Sequence, residues 1–278
     1  MKRAFAVDLA LAGLPPFRLE SDDSRWSEAL LPRYGPFASA APDAMPRAGA
    51  KRLRLRATSP PPELSAVARL LAEPVVVETL PAGWSLSTSW CRIAYDRSTG
   101  CGEIEGPLHR LAIDLALRHL LAEELTDGLL LHGALLAEGE RAFLCAGPSG
   151  CGKSTLAGLL PEAALCDELA VARRAPGGGW RAWSLPFWHG RPGCGRLAAI
   201  HLLEHGPQAA RRALAPREAL RRLAPEVIWP AHDEGATGRA LELLGALAAE
   251  VPVAVLAFRP EPEVWALIAA PATAGAAV

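Results

Sequence analysis

Eight consecutive residues, Gly147-Pro148-Ser149-Gly150-Cys151-Gly152-Lys153-Ser154, hold the clearest chemistry in this chain. They fit the spacing GxxxxGK[ST], with an apolar run before them and a helical pattern after. Glycines let a backbone curl until successive N–H groups point inward and form a nest for anions. The positive end of a following helix adds a field of the same sign. Lys153 is then placed to reach the β- and γ-phosphates of a nucleotide, and the Ser154 hydroxyl to meet Mg²⁺. Composition allows roughly 0.002 accidental matches to this pattern, so chance is a poor account of it. Only Lys2, Lys51 and Lys153 are lysines among 29 Lys and Arg residues. A compact ammonium at this one place is informative, because the fork of an arginine would crowd the cradle.

Two further stretches bear on what happens to a bound phosphate. Leu131-His132-Gly133-Ala134 lies one hairpin upstream of the loop, and Cys166-Asp167-Glu168 lies one helix downstream. If the sheet is parallel around the loop, both bring their ends near the γ-phosphate. Asp167 or Glu168 at a strand end suits a Mg²⁺ ligand or a base. By residue type alone, His132 reads equally as a buried strand histidine, and Asp167-Glu168 as the start of a turn.

These groups need elements to hold them. GLLLHGALLAEGERAFLCAG reads as two strands joined by an AEGE turn, and a helix is expected from about Lys153 to Leu160. ALCDELAVARR reads as a strand, APGGGW as a turn and LAAIHLLEHG as another strand. PREALRRLAP is a helix with Pro216 in its first turn, GRALELLGALAAE is a further helix, and VPVAVLAFR is a buried strand. That alternation argues an α/β layer. Ahead of it, LHRLAIDLALRHLLAEEL is a leucine-faced helix with His109 and His119 on its surface, ended by Gly128.

Residues 1–105 look β-rich and irregular. A first strand lies in MKRAFAVDLA, and KRLRLRA alternates cationic and apolar residues as a strand with one wet face would. PVVVETL, WSLSTSW and CRIAYDR, separated by PAG and STG turns, read as an antiparallel meander. Pro60, Pro61 and Pro62 precede a short helical stretch. The expected organisation is a β-rich N-terminal domain over 1–105 and a catalytic α/β domain over 106–278.

With a net charge of −1, no general pull toward nucleic acid or an anionic membrane is expected. Cys91, Cys101, Cys145, Cys151, Cys166 and Cys194 form no CxxC pair, and read as reduced thiols of a cytoplasmic protein. Asp8 interrupts the signal-like start, and the apolar tail from Val264 to Val278 is below the ~20 residues that span a bilayer. Trp180, Trp183 and Trp188 read as packing, and His205 and His232 show no metal spacing.

The stretch HGALLAEGERAFLCAGPSGCGKSTLAGLLPEAALCDELAVA resembles the catalytic domain of bacterial HPr kinase/phosphorylases, and is more similar to the smaller HPr-kinase-like proteins of lasso peptide maturation. LEHGPQAARRALAPREALRRLAPEVIWP and VPVAVLAFRPEPEVWALI resemble later segments of that group. The likeness covers about residues 130–270. It implies a P-loop fold of the HPr kinase/PEP carboxykinase type and transfer of phosphate from ATP, with Mg²⁺, to a serine of a peptide or small protein. It further implies that Gly147 through Thr155 hold the nucleotide, with Lys153 also catalytic. His132 would sit beside the transferred phosphoryl and orient the carboxylate, and Asp167 would take the proton of the attacking hydroxyl. Ser154, Asp167 and Glu168 would hold Mg²⁺, and Arg191 would reach the γ-phosphate. Glu168 stands where the family carries a second aspartate, and Thr155 where it carries glutamate. A small-molecule kinase, a PEP carboxykinase-like enzyme and an ATP-sensing binding protein are the competing readings. The N-terminal part is expected to recognise the substrate, with neither nucleic acid nor membrane as partner, and a homo-oligomer is compatible with the sequence.

Overall fold

The computed structural model of the protein describes residues 5–39, 49–230, 233–261 and 263–271. His232 and the tail beyond 271, each the subject of an expectation above, lie outside these. The chain divides into two compact units at Leu121/Ala122.

The first unit runs β1 (Phe5–Leu9), β2 (Phe17–Ser21), α1 (Arg25–Tyr34), β3 (Lys51–Ser59), α2 (Leu64–Leu71), β4 (Val76–Leu80), β5 (Gly83–Ser87), β6 (Arg92–Asp96) and β7 (Cys101–Pro107), then enters α3 (Leu111–Glu124). Its seven strands form one sheet in the order β1-β2-β3-β7-β6-β5-β4. The meander from β4 to β7 is antiparallel as expected, but β2, β3 and β7 pair in parallel. Alternation sorts the two faces of β3: Leu53 and Leu55 are buried, while Arg52, Arg54 and Arg56 are exposed.

The division falls inside α3 and not at 105, because this helix packs into the first unit. The Ala112 side chain lies close against Gly106, and Tyr34 donates a hydrogen bond to the buried Asp114, which is also paired with Arg110. His119, expected on the helix surface, instead sets its ring 5.7 Å from that of Trp84. His109 precedes the helix, and its Nδ1 accepts the Leu111 N–H.

The second unit contains β8 (Gly128–Glu138), β9 (Arg141–Ala146), α4 (Lys153–Leu159), β10 (Ala164–Cys166), β11 (Leu169–Arg174), β12 (Trp180–Ser184), β13 (Cys194–His205), β14 (Ala210–Ala213), α5 (Pro216–Leu223), α6 (Glu234–Glu250), β15 (Val253–Phe258) and α7 (Val264–Ala269). Its eight strands form a mixed sheet. Strand β9 runs antiparallel to β8 and parallel to β13, and pairing continues β13-β12-β11-β8 to close a ring. The expected parallel surroundings of the loop are therefore mixed.

After Arg141, strand β9 is apolar because helices cover both of its faces. Ala142, Leu144 and Ala146 pack in a cluster with Ala219 and Leu223 of α5 and Leu244 and Leu247 of α6. Phe143 and Cys145 pack with Leu156 of α4 and Val264 and Ile268 of α7. The fold is thus mixed α/β. All six cysteines are unpaired, and no helix among the described residues is long and apolar enough to cross a membrane.

One buried side chain makes this unit acid-sensitive. His201 of β13 has no exposed surface, and its Nε2 lies 3.3 Å from the Ile268 carbonyl oxygen. Burial, with help from the Arg211 charge, pushes its pKa down to about 4, against the opposing pull of that carbonyl. Unfolded histidine takes up its proton near pH 6.5, so the unfolded state binds more protons between those values. Stability is expected to fall as pH drops through this window, by up to about 3 kcal/mol from this residue. Urea unfolding of the chain and of His201→Gln at about pH 7 and about pH 4.5 checks this, the variant losing less on acidification.

Candidate functional site

The end of β9 turns sharply into α4 through residues that only glycine serves well. Gly147 has φ 147°, Gly150 83° and Gly152 105°. A Cβ on Gly147 would lie 2.9 Å from the Cys151 Sγ, and one on Gly152 would lie 2.9 Å from the Phe258 ring. Phe258 is itself buried, so the ring cannot swing aside cheaply. Gly152→Ala is expected to cost about 1–3 kcal/mol of stability and to deform the loop. A lowered Tm in thermal unfolding checks it.

Lys153 opens α4 and is buried beneath the loop, its Nζ donating to the carbonyl oxygens of Gly147 at 2.6 Å and Pro148 at 3.1 Å. At the loop's tip the His205 Nε2 sits 2.9 Å from the Gly150 carbonyl oxygen. Ser154 and Thr155 are exposed on the first turn of the helix. Cys151 is buried under the loop, with its Sγ 3.9 Å from the Lys153 Nζ.

Sheet register brings the other candidates to the same level. Gly133 of β8 lies opposite Ala146, the last residue of β9, and Leu169, the first of β11, lies opposite His132. The Gly133 N–H donates to the Glu168 carbonyl oxygen at 2.8 Å. Asp167 and Glu168, expected within one strand, instead form the break between β10 and β11. A cavity of about 470 Å³ results, lined by His132, Ser149, Gly150, Gly152, Lys153, Ser154, Thr155, Asp167, Glu168, Trp188 and His189.

Asp167 is buried and held from the loop after β12. Its carboxylate lies 3.4 Å from the His189 backbone N–H, which donates to it, and 3.2 Å from the His189 Nδ1. Trp188, beside it, has φ 48°, uncommon for a bulky residue. This tryptophan lines the cavity, whereas Trp180 is core and donates to Glu250.

Arg191 departs from its expected place. Its Nε donates to the Ala164 carbonyl oxygen at 2.6 Å and another guanidinium nitrogen donates to that of Glu162. Those bonds tie its guanidinium to Glu162 and to Ala164 at the start of β10, and it does not line the cavity.

Sequence reasoning missed two further members, His189 and Glu226. The second ends a 3-10 turn, Ala224–Glu226, and is buried with its Oε2 3.4 Å from the His132 Nδ1. Burial raises its carboxyl above the ordinary range, while the Lys153 ammonium and the Gly147 N–H pull it back down. Neither residue lies in a motif, and only the folded chain brings them to the loop.

Among the described residues no group of three or more His, Cys, Asp or Glu is placed to hold a metal ion unaided. Two carboxylates and a hydroxyl beside the glycine loop suit Mg²⁺, which keeps part of its shell for water and phosphate oxygens. The glycine-only curvature and the ammonium beneath it likewise suit a polyphosphate. No protein-family model matches the chain, and no curated protein matches it either.

Proposed function

We propose that this chain is an ATP- and Mg²⁺-dependent kinase that transfers the γ-phosphoryl group to a serine hydroxyl of a peptide or small protein. The reading rests on one observation: His132 and Asp167 line the same cavity as Lys153 and Ser154. A bare ATP-holding module could use Asp167 for Mg²⁺, but it has no use for His132 on the same cavity. The likeness of residues 131–170 to HPr kinases points the same way, and with it the P-loop fold of the HPr kinase/PEP carboxykinase type.

In this reading the loop from Gly147 to Thr155 holds the triphosphate, and Lys153 leaves its carbonyl partners for the β- and γ-phosphates. Ser154 and Glu168, with Asp167 alongside, would hold Mg²⁺. The bound ion supplies neutralisation of charge on the phosphate oxygens. Asp167 accepts the proton of the serine hydroxyl as its oxygen bonds to the γ-phosphorus. The bond from that phosphorus to the β–γ bridging oxygen breaks, and ADP leaves with the electron pair. A carboxylate is an adequate base here, because the loose transition state needs positioning and charge neutralisation above all. His189 keeps Asp167 turned toward the cavity.

The first unit offers a place for the acceptor. Strand β4 ends its sheet, and Val76 and Leu80 are 55% and 40% exposed along it. An extended peptide can add to such an edge through main-chain hydrogen bonds. The experiment is incubation of the full chain with γ-labelled ATP, Mg²⁺ and serine-containing peptides, each paired with its Ser→Ala counterpart. Label on the serine peptide alone is expected. Label on a small hydroxyl compound, or on nothing, contradicts a peptide kinase.

A further inference from the structure

We infer that Glu226 is a positioning residue of this site, its buried carboxylate accepting the Nδ1 proton of His132 and so presenting Nε2 to the cavity. The catalytic part of this inference rests on the kinase reading above; the contact itself does not.

Three observations carry it. Glu226 is fixed beside β8 by backbone bonds next to it in sequence: the Ile228 N–H donates to the Leu130 carbonyl oxygen at 2.9 Å, and Val227 bridges Leu131. The next residue of β8 is His132, whose Nδ1 stands 3.4 Å from the Glu226 Oε2. The carboxylate is also only 6% exposed, so water cannot replace the histidine as its partner at little cost.

A carboxylate in this place is otherwise an odd choice. It sits behind a loop built for polyanions, where its charge opposes the ligand. Lys153 and the Gly147 N–H offset that charge. Orienting a histidine is a use that only an acceptor at this spot can serve. Imidazole has two tautomers, and an anionic acceptor at Nδ1 fixes which nitrogen carries the proton, as carboxylates behind metal-bound histidines do. With Nδ1–H committed to Glu226, Nε2 is the ring atom that faces a phosphoryl group or the Asp167 carboxylate.

The contact is tested by nitrogen NMR of the full chain with labelled histidine, His132 being assigned with His132→Gln. The Nδ1–H tautomer is expected in the wild type and in Glu226→Gln, whose amide oxygen still accepts. A shift toward Nε2–H is expected in Glu226→Ala. A wild-type Nε2–H tautomer overturns the inference even if the alanine variant does not fold, and so does a tautomer that is the same in all three.

Kinetics test the consequence. Glu226→Ala is expected to lower kcat about 10- to 100-fold, with KM for ATP moving less than about threefold and Glu226→Gln recovering much of the loss. His132→Ala combined with Glu226→Ala should be no slower than His132→Ala alone, whereas fully additive losses contradict action through His132. If the wild type transfers no phosphoryl group, the kinase reading falls, and the tautomer measurement still decides the role of Glu226.

Discussion

Lys153→Met is expected to weaken MgATP binding about 10- to 100-fold and to lower phosphoryl transfer by about 10²- to 10³-fold. The ammonium is the one cation that the loop itself encloses, held 2.6 Å from the Gly147 carbonyl oxygen. Its stem already lies where methionine can lie, so packing is nearly conserved and the lost charge dominates. The fold loses two bonds to loop carbonyls, each worth about 1 kcal/mol net. Glu226 loses the ammonium charge that pulls its carboxyl down, and is expected to hold its proton to higher pH. Calorimetric titration with MgATP and a phosphoryl-transfer assay read the two losses separately. Unchanged affinity contradicts the loop as the phosphate site.

Asp167→Asn carries the second large effect, and it falls mainly on turnover, because Ser154, Glu168 and the new amide oxygen remain to hold Mg²⁺. Asparagine keeps the size of the side chain and an oxygen that accepts the His189 N–H, so the loop after β12 stays in place. What disappears is the capacity to take a proton, which general-base steps value at about 10² to 10⁴ in rate. The expected result is that loss in kcat with MgATP affinity changed less than about threefold. A protein that only senses ATP would respond to nucleotide in the variant as in the wild type. Equal turnover of the two proteins removes Asp167 from the chemistry.

The glycine loop was legible in the sequence because its conformation is local. Three glycines at positive φ and one lysine leave a mark within eight residues, and β8 and β9 announce themselves as mostly apolar runs, broken in β8 by His132. Asp167 was legible through its distance from the loop, and the break between β10 and β11 at Asp167-Glu168 matches the turn that the sequence left open beside a continuous strand. Strand β2 and helix α1 escaped notice: the strand is five residues long, and Pro32 lies inside the helix. Helix α3 looked like the opening of the second domain because its apolar face does not say which sheet it covers. Arg191 looked available because a loop rich in glycine and proline hides the carbonyls of Glu162 and Ala164, which reach it only after folding. Glu226 left no signal at all, since a lone glutamate before a valine is ordinary until the chain sets it behind His132.

A complex of the full chain with Mg²⁺ and a non-hydrolysable ATP analogue tests the whole scheme most directly. The account predicts the triphosphate wrapped by residues 147–155, with the terminal phosphorus facing Asp167 and leaving room between them for one hydroxyl group. A triphosphate seated elsewhere, or Asp167 and His132 turned away from its terminal phosphorus, contradicts it.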